Sequence, residues 1–374
     1  SHHVSRLWLH GRAGCREISR SRPLSNLEVS TAGSLFVDPR FLQALSENHC
    51  IGPGTGWNPV EGIDAPAFLK THSHGEFVFD WMWARAAGQA GIRWYPKLLV
   101  AAPFSPVTGP RLVRDGSSAD HATKTLRQIE EFCVDAKLSN AGINFCSSLD
   151  CEVLDRSDWL ARFDWQFHWE NRGYRDFDDF LSTLKRKARK NIRAERRKPA
   201  AQGWHFRWVD GSQLDEASLA LAHRCYQTTH ALYGNHPALN FGFFSDIAQH
   251  FGEQFLLCIA TLEDQDLAAA IFFRDQDRLY GRYWGSLVET KDVHFETCYY
   301  QGIDYCIRHG LKWFEPGAQG EHKIRRGFLP QATHSYHWFA SQQLKDAVED
   351  YLRRESAALL AYRNDLDTLS PYAE

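Results

Sequence analysis

"QFLLCIATLEDQDLAAAIFFRDQDRLYGRYWGSL" runs from Gln254 to Leu287 and contains three apolar segments separated by short polar turns. Apolar runs of this length with turn residues between them are typical of β-strands. We therefore predict three consecutive strands, "QFLLCIATLE", "LAAAIFFRD" and "RLYGRYWGSL".

The segments on either side extend this pattern. Before the three strands, "WHFRWVDG" predicts another strand. Two predicted helices, "LDEASLALAHRCYQTTHALYG" and "FGFFSDIAQHFG", lie between that strand and the three strands. After the triplet come a helix ending at His309-Gly310, a strand "LKWFEPG", a polar loop, a strand "THSYHWFA" and a helix from Gln342 to about Arg363. Glycine commonly ends helices in this way. The predicted order is β-α-α-β-β-β-α-β-loop-β, which indicates a sheet with helices packed on it.

The first half of the chain alternates in a similar way. We predict helices in "DPRFLQALSENH" (Asp38–His49), "FVFDWMWARAAGQAG" and "ADHATKTLRQIEEFCVDAKLSNAG", and strands in "IRWYPKLLVAAP", "INFCSSL" and "FDWQFHWENRGY". Asp38 is a suitable N-cap residue for the first helix.

Composition limits the class of protein. The chain has 374 residues, enough for two domains, and its 43% hydrophobic and 24% charged residues are typical of a soluble globular protein. It has nine Cys, an odd number, and no CxxC pair, which argues against a disulfide framework and a zinc ribbon. No signal peptide and no membrane-spanning segment are recognisable, so we expect a cytoplasmic location.

Positive charge is concentrated in "LKRKARKNIRAERRK" (Leu184–Lys198), although the net charge of the chain is only -3. Apolar residues recur here at three- and four-residue spacing, which predicts one amphipathic helix over 176–198 that ends at Pro199. We interpret its cations as an anion-binding face for phosphate, formed by Arg186, Lys190, Arg193 and Arg197. The alternative is a solvated linker helix whose charge balances nearby Asp residues.

"EPGAQGEHKIRRGF" (Glu315–Phe328) follows a predicted strand, where open α/β sheets place their ligands. Transfer of an acyl group to an amine needs a base and donors for the carbonyl oxyanion. Glu315 or His322 could be the base, and Lys323 could hold the oxyanion or a phosphate. Gln319, Arg325 and Arg326 are candidates for substrate binding. The alternative is a solvated turn after an edge strand.

"LKTHSHGEFVFDW" (Leu69–Trp81) is the second candidate segment. If it is extended, His72, His74 and Glu76 share one face, which would suit a zinc ion or, as we prefer, the polar wall of a substrate pocket. We expect no metal and no tightly bound cofactor. The pocket wall would consist of Lys70, His72, His74, Glu76, Asp80, Tyr95 and Lys97.

Further positions complete the candidate site. In "RLYGRYWGS", glycines thin a strand, as happens where a ligand lies against a sheet, and Tyr280 or Tyr283 is a candidate proton donor to a leaving group. The alternative is a packed aromatic strand. Asn235 and His236 follow a predicted helix and are candidates for substrate binding. No GxSxG motif is present and no Cys stands in a nucleophile motif, so we expect direct transfer without a covalent enzyme intermediate.

Several of these motifs resemble the FemAB-like family of predicted N-acyltransferases, which is related to the Fem-type peptidoglycan aminoacyltransferases. The similar stretches are "LKTHSHGEFVFDW", "YPKLLVAAPFSPVTGPRL", "FDDFLSTLKRKARKNIRAERRK" and "FEPGAQGEHKIRRGFLP", and the likeness covers nearly the whole chain from about Phe36. One departure is that only "VEGIDAPAF" stands where the family usually has a β-hairpin. Either the hairpin is reduced or residues are absent.

The resemblance implies an α/β (α+β) fold of two tandem GNAT-like domains, each a mixed twisted sheet flanked by helices. Residues 1–170 would form a degenerate first domain, on which a helix over 342–363 can pack, and 171–340 the second, opening with the basic helix 176–198. The implied function is acyl or aminoacyl transfer from acyl-CoA or aminoacyl-tRNA to an amine acceptor, a small molecule or a cell-wall precursor. No RxxGxG loop for coenzyme A is visible, which favours tRNA. The alternative is a non-catalytic tRNA- or nucleotide-binding adaptor.

Overall fold

The computed structural model describes residues 33–113, 119–290, 292–318 and 320–373. In the first half the helices are α1 (Pro39–Glu47), α2 (Trp81–Gln89), α3 (Ala119–Asp135) and α4 (Ser148–Leu154). The strands are β1 (Trp57–Pro59), β2 (Ala67–Lys70), β3 (Lys97–Val100), β4 (Asn140–Asn144) and β5 (Leu160–Glu170). The Asp38 side chain accepts a hydrogen bond from the backbone N–H of Arg40, as expected of an N-cap.

The second half confirms the predicted order of elements. It contains α5 (Phe177–Ser182), α6 (Arg186–Ala201), β6 (His205–Asp210), α7 (Glu216–Leu232), α8 (Phe241–Phe251), β7 (Phe255–Leu262), β8 (Gln265–Arg274) and β9 (Arg278–Ser286). Then follow α9 (Val293–Phe295), a π turn (Glu296–Tyr300), α10 (Gln301–His309), β10 (Trp313–Glu315), a 3-10 helix (Glu321–Arg326), β11 (Leu329–Phe339) and α11 (Gln342–Thr368).

The eleven strands of the described residues belong to one mixed sheet, in the order β1-β2-β3-β4-β11-β5-β10-β9-β8-β7-β6. β3 and β4 are parallel, as are β9 and β10, and the other neighbours are antiparallel. The architecture is therefore mixed α/β, as predicted. β11 belongs to the predicted second domain, yet it lies in the sheet between β4 and β5, which both belong to the predicted first domain. The domain boundary between residues 170 and 171 remains a prediction.

α11 packs against the first half of the chain. Leu344, Val348 and Leu352 form a buried cluster with Trp83 and Trp94. The helix continues to Thr368, beyond the predicted end at residue 363. Within the described residues, no helix combines the length and the apolar character needed to cross a lipid bilayer.

The basic segment is two helices and not one. α5 ends at Ser182 and α6 begins at Arg186, and Leu184 between them pairs with Tyr372 near the C-terminus. The backbone N–H of Lys185 donates to the carbonyl of Pro371, 2.7 Å away, so tertiary pairing replaces a helical turn. The prediction for Pro199 was also wrong: it is buried inside α6, which continues to Ala201.

The segment after β2 is not extended either. β2 ends at Lys70, and Gly75 (φ 78°) and Phe77 (φ 58°) adopt left-handed backbone conformations that turn the chain. His72, His74 and Glu76 therefore do not form one face of a strand, and that prediction was wrong.

Candidate functional site

The β9–β10 cleft opens where two parallel strands separate. β10 pairs with β9 only through Trp313, Phe314 and Glu315, after which β9 continues and the chain beyond β10 turns away. The register shifts at Arg282, which is the extra residue of a bulge against β8. The resulting cleft has a volume of about 300 Å³ and lies between β9, the end of α7, the π turn, residues 316–318 and Lys323.

α7 approaches β9 closely on one side of this cleft. A Cβ atom at Gly285 would lie 1.8 Å from the carbonyl oxygen of Cys225, so no side chain fits at this position. The hydroxyl of Thr229 donates to the carbonyl of Trp284, 2.5 Å away. These contacts fix the helix against the strand and place Tyr226 and His230 on the cleft wall.

Lys323 lines the β9–β10 cleft and is only 2% exposed. Its Nζ donates to the carbonyl oxygen of Gly317 at 2.9 Å, and no described carboxylate forms an ion pair with it. Burial without a counter-charge lowers the pKa of Lys323 to about 7. A lysine with this environment in a cleft is a candidate catalytic group, and the catalytic role of Lys323 stays a prediction.

His322 is exposed beside the cleft, and its Nε2 lies 3.0 Å from the hydroxyl of Tyr299, which lines the cleft. Partial burial, followed by the charges of Arg326 and Lys323, lowers the pKa of His322. Arg326 forms an ion pair with Glu195 of α6 at 2.8 Å and so connects the loop to the basic helix. Arg325 is exposed.

Glu315 is buried below the cleft, and its carboxylate lines neither the β9–β10 cleft nor a second cleft over β5 and β11. Its Oε1 accepts from Arg278 at 2.6 Å, and its Oε2 has no hydrogen-bond partner among the described residues. His168 lies 3.9 Å from Oε2, and burial lowers the pKa of this histidine to about 4. The proposed role of Glu315 as a base remains a prediction.

Tyr283 lines the cleft as predicted, with its hydroxyl 3.4 Å from the carbonyl of Phe104. Burial raises the pKa of Tyr283, so the phenol keeps its proton at neutral pH. Most of the other lining residues were not predicted from the sequence, among them Tyr226, His230, Arg282 and Tyr299. Asn235 and His236 are exposed and do not line this cleft, and Gln319 lies outside the described residues.

The predicted pocket wall of the first half is a buried charge network. Lys97 Nζ lies 2.7 Å from Glu76 and 2.5 Å from Asp80, and Trp94 Nε1 donates to Asp80. Lys70 lies 3.7 Å from the ring centroid of Trp57, and burial lowers its pKa to about 7. The Tyr95 hydroxyl donates to Asp80 at 3.3 Å.

The other predicted members of this wall lie at its edge. His72 and His74 have ring centroids 4.8 Å apart; His72 is partly buried and hydrogen bonded through Nε2 to the carbonyl of Thr55, and His74 is exposed. Neither cleft is lined by any of the seven residues. No group of His, Cys, Asp and Glu side chains within the described ranges is placed to hold a metal ion.

The four predicted anion-binding residues share one face of α6. Arg186, Lys190, Arg193 and Arg197 are separated by four, three and four residues, all are exposed, and buried Ile192 and Pro199 lie on the opposite side. Arg193 is paired with exposed Asp178 at 3.0 Å. This set is the basic face.

Comparisons with known proteins give one family and several structural neighbours. The FemAB-like family model, described as peptidoglycan biosynthesis/recognition, matches residues 25–374. No curated protein matches. The C-terminal domain of a putative lysylphosphatidylglycerol synthetase from Agrobacterium fabrum is 8% identical with a TM-score of 0.50, covering 76% of this chain and 85% of its own.

Two further structures have similar scores. L-PGS from Bacillus licheniformis is 9% identical with a TM-score of 0.50, covering 85% and 96% of the two chains. FemX is 11% identical with a TM-score of 0.48, covering 83% and 93%. At these identities the first two likenesses describe the fold alone.

Proposed function

The chain belongs to the FemAB-like family, and from that premise we propose that it is an N-acyltransferase that joins an activated acyl or aminoacyl group to an amine. The observation that carries the proposal is Lys323, a buried lysine without a counter-charge at a cleft between separating parallel strands. The family description suggests that the acceptor is a cell-wall precursor.

In this proposal the donor carbonyl lies in the β9–β10 cleft beside Lys323. The amine nitrogen attacks the carbonyl carbon, and negative charge develops on the carbonyl oxygen. Protonated Lys323 has two N–H groups besides the one bonded to Gly317, and these stabilise the oxyanion. The developing charge itself favours the protonated form of a lysine whose pKa is about 7.

The protons have separate routes. The neutral imidazole of His322 is hydrogen bonded to Tyr299 and takes, through that hydroxyl, the proton that the nitrogen loses. The bond from the carbonyl carbon to the leaving oxygen or sulfur then breaks, and the leaving atom takes a proton from Tyr283. The products are an amide and a free alcohol or thiol. No covalent enzyme intermediate is needed.

For the donor we propose aminoacyl-tRNA before acyl-CoA, with tRNA bound by the basic face. Four exposed cations on one helix suit a polyanion better than a single pyrophosphate. The ion pair between Arg326 and Glu195 joins the opposite side of α6 to the loop that holds Lys323, so the helix is attached beside the cleft and its basic face points outward. A cytoplasmic location is part of this proposal, because charged tRNA occurs there.

The test is amide formation by the purified protein, measured by mass spectrometry with aminoacyl-tRNA or acyl-CoA and a nucleotide-linked muramoyl peptide carrying a free amine. We expect Lys323→Met to lower kcat/KM by about 100-fold or more, as loss of an oxyanion donor does. Lys124→Met, an exposed change on α3, is the matched control. No transfer from either donor, or full turnover by Lys323→Met, would contradict the proposal.

The second candidate is a non-catalytic tRNA- or nucleotide-binding adaptor. The basic face favours it, because anion binding by an exposed helix needs no chemistry in the cleft. Binding of uncharged tRNA that depends on the basic face and is unaffected by Lys323→Met, together with no amide formation, would support this function.

A further inference from the structure

The β5–β11 cleft is a second opening, with a volume of about 250 Å³. Its floor is formed by β5 and β11, and its walls by residues 77–79, by Tyr362 of α11 and by Ala318, Gly320 and Glu321. Ala318 also lines the β9–β10 cleft, so the two openings meet at this residue. None of the side chains that we propose to take part in acyl transfer lines this second cleft.

The charge of the β5–β11 cleft is negative. Asp164 and Glu321 line it, and its one lining cation, Arg162, is bonded through two nitrogens to Glu355 at 2.8 and 2.7 Å. His334 also lines the cleft, but burial lowers its pKa, so it carries no charge at neutral pH. Among the described residues, the β9–β10 cleft is lined instead by two basic side chains, Arg282 and Lys323, and by no carboxylate.

Asp164 is the carboxylate in this cleft that accepts no hydrogen bond from another side chain of the described residues. Its Oδ1 accepts from the backbone N–H of Trp165 at 2.7 Å, and no ion pair joins it to another side chain of the described residues. Glu321, by comparison, accepts from the hydroxyl of Tyr362 at 3.1 Å. The Asp164 side chain is exposed, yet partial burial by the cleft walls raises its pKa, and this effect outweighs the attraction of nearby Arg162, which is itself paired with Glu355.

Apolar side chains flank these carboxylates. Phe77 and Phe79 are 37% and 42% exposed at one wall, which is unusual for phenylalanine, and the ring of Tyr362 stands at another. A molecule in the cleft would therefore meet negative charge in the middle and aromatic surface beside it. This combination suits a cation carried on a carbon chain.

We propose that the β5–β11 cleft binds the acceptor as a primary ammonium ion on an apolar chain, with the ammonium group on Asp164 and the chain against Phe77, Phe79 and Tyr362. This inference rests on the proposed function for its biological meaning: the ammonium group gives one proton to the Asp164 carboxylate, and the neutral amine then meets the donor near Ala318, where the two clefts join. The opposite charges of the two clefts separate a phosphate-bearing donor from a cationic acceptor. The binding itself can be measured without any transfer reaction.

The experiment is isothermal titration calorimetry of the whole chain with 4-phenylbutylamine, compared with uncharged 4-phenylbutan-1-ol. We expect the amine to bind at least fivefold more tightly than the alcohol, and Asp164→Asn to remove this difference. Asp350→Asn on α11 makes the same charge change at an exposed position away from the cleft and is the control. Phe79→Ala should weaken both ligands equally.

Equal affinity for amine and alcohol, or unchanged amine binding by Asp164→Asn, would overturn the inference. If Asp164→Asn fails to fold, Asp164→Glu keeps the charge and should retain the preference for the amine. The inference and the proposed function fail separately. Amide formation with an acceptor KM that Asp164→Asn leaves unchanged removes only the inference, whereas amine binding at Asp164 without any transfer removes only the proposed function.

Discussion

The side-chain nitrogen of Lys323 lies 2.9 Å from the carbonyl oxygen of Gly317 and so closes the loop that follows β10. The same contact keeps the amine in the β9–β10 cleft, where burial disfavours its charge. Lys323 therefore both holds the loop in place and supplies an amine of lowered pKa to the cleft. Its cost to stability and its value for catalysis can be measured separately.

Lys323→Met should stabilise the protein in a pH-dependent way. The pKa of Lys323 is about 7 in the native protein and near 10.5 in the unfolded chain, so between these values unfolding takes up a proton. The free energy of unfolding of the wild type therefore falls as the pH decreases from about 10.5 to 7. We expect the variant to be more stable by about 2 kcal/mol or more at pH 7, and the advantage to vanish towards pH 10.5.

Urea unfolding at pH 7 and pH 10 measures this difference, with Lys312→Met as the exposed control. Lys70 has a similarly lowered pKa but is present in both proteins, so its contribution cancels in the comparison. An equal change in the free energy of unfolding at both pH values would contradict the assignment of a lowered pKa to Lys323.

His322 and Tyr299 should act as one unit. Each of His322→Ala and Tyr299→Phe breaks the 3.0 Å contact between imidazole and hydroxyl, and each should lower kcat by about 100-fold. The double variant should be little worse than either single one, because the second change removes a path that is already broken.

Steady-state kinetics of the three variants make this test, and exposed His205→Ala is the matched control. Effects that multiply in the double variant would show that the two residues work independently and would remove the relay from the mechanism.

The basic face should determine salt-dependent binding of tRNA. Changing Arg186, Lys190 and Arg197 to Glu should weaken binding strongly at low salt and reduce the slope of log K against log salt by about 2. Filter binding at several salt concentrations gives both quantities. The control, with Lys124, Arg353 and Arg354 changed to Glu, makes the same charge change on α3 and α11. An equal loss of tRNA affinity in both triple variants would mean that binding depends only on the net charge of the protein.

Lys97 should be needed for folding more than for substrate binding. Its removal leaves Glu76 and Asp80 buried without their cation, so Lys97→Met should lower the free energy of unfolding by about 3–5 kcal/mol. Adding Glu76→Gln and Asp80→Asn should recover part of that loss, because the two buried carboxylates are then replaced by neutral amides. Urea unfolding checks this, and a triple variant less stable than Lys97→Met alone would refute the electrostatic explanation.

Local signals predicted most of the fold. Asp38 and Asp176 cap helices, and Gly310 ends one in a left-handed conformation, because these functions need only neighbouring residues. The position of β11 between β4 and β5 could not be predicted, since pairing between segments far apart in the chain leaves no local pattern.

The break between α5 and α6 was missed for the same reason. It is caused by contacts with the C-terminal segment: Leu184 pairs with Tyr372, and the backbone N–H of Lys185 donates to the carbonyl of Pro371. The side chain of Lys185 also donates to the carbonyl oxygen of Ser370 at 3.0 Å. A sequence window around Leu184 contains none of these partners, so the apolar spacing alone indicated one continuous helix.

The candidate site was predicted only in part. The loop motif pointed to Lys323 and His322, but the burial that changes the chemistry of Lys323 depends on packing by distant elements. Arg282, Tyr299 and His230 gave no signal, because aromatic and polar residues at these spacings are equally typical of a packed core. Asp164 did give one: "FDWQFH" alternates polar and aromatic residues, which marks one face of a strand as polar.

The place of β11 also determines the order in which the chain can fold. Residues 140–144 leave the ribosome long before residues 329–339, so the β4 edge has no partner during most of synthesis. An open strand edge is a surface on which nascent chains aggregate. The first half therefore cannot complete its sheet early, and a fragment ending near residue 170 should require either a chaperone or the missing strand, supplied as a separate peptide, to remain in solution.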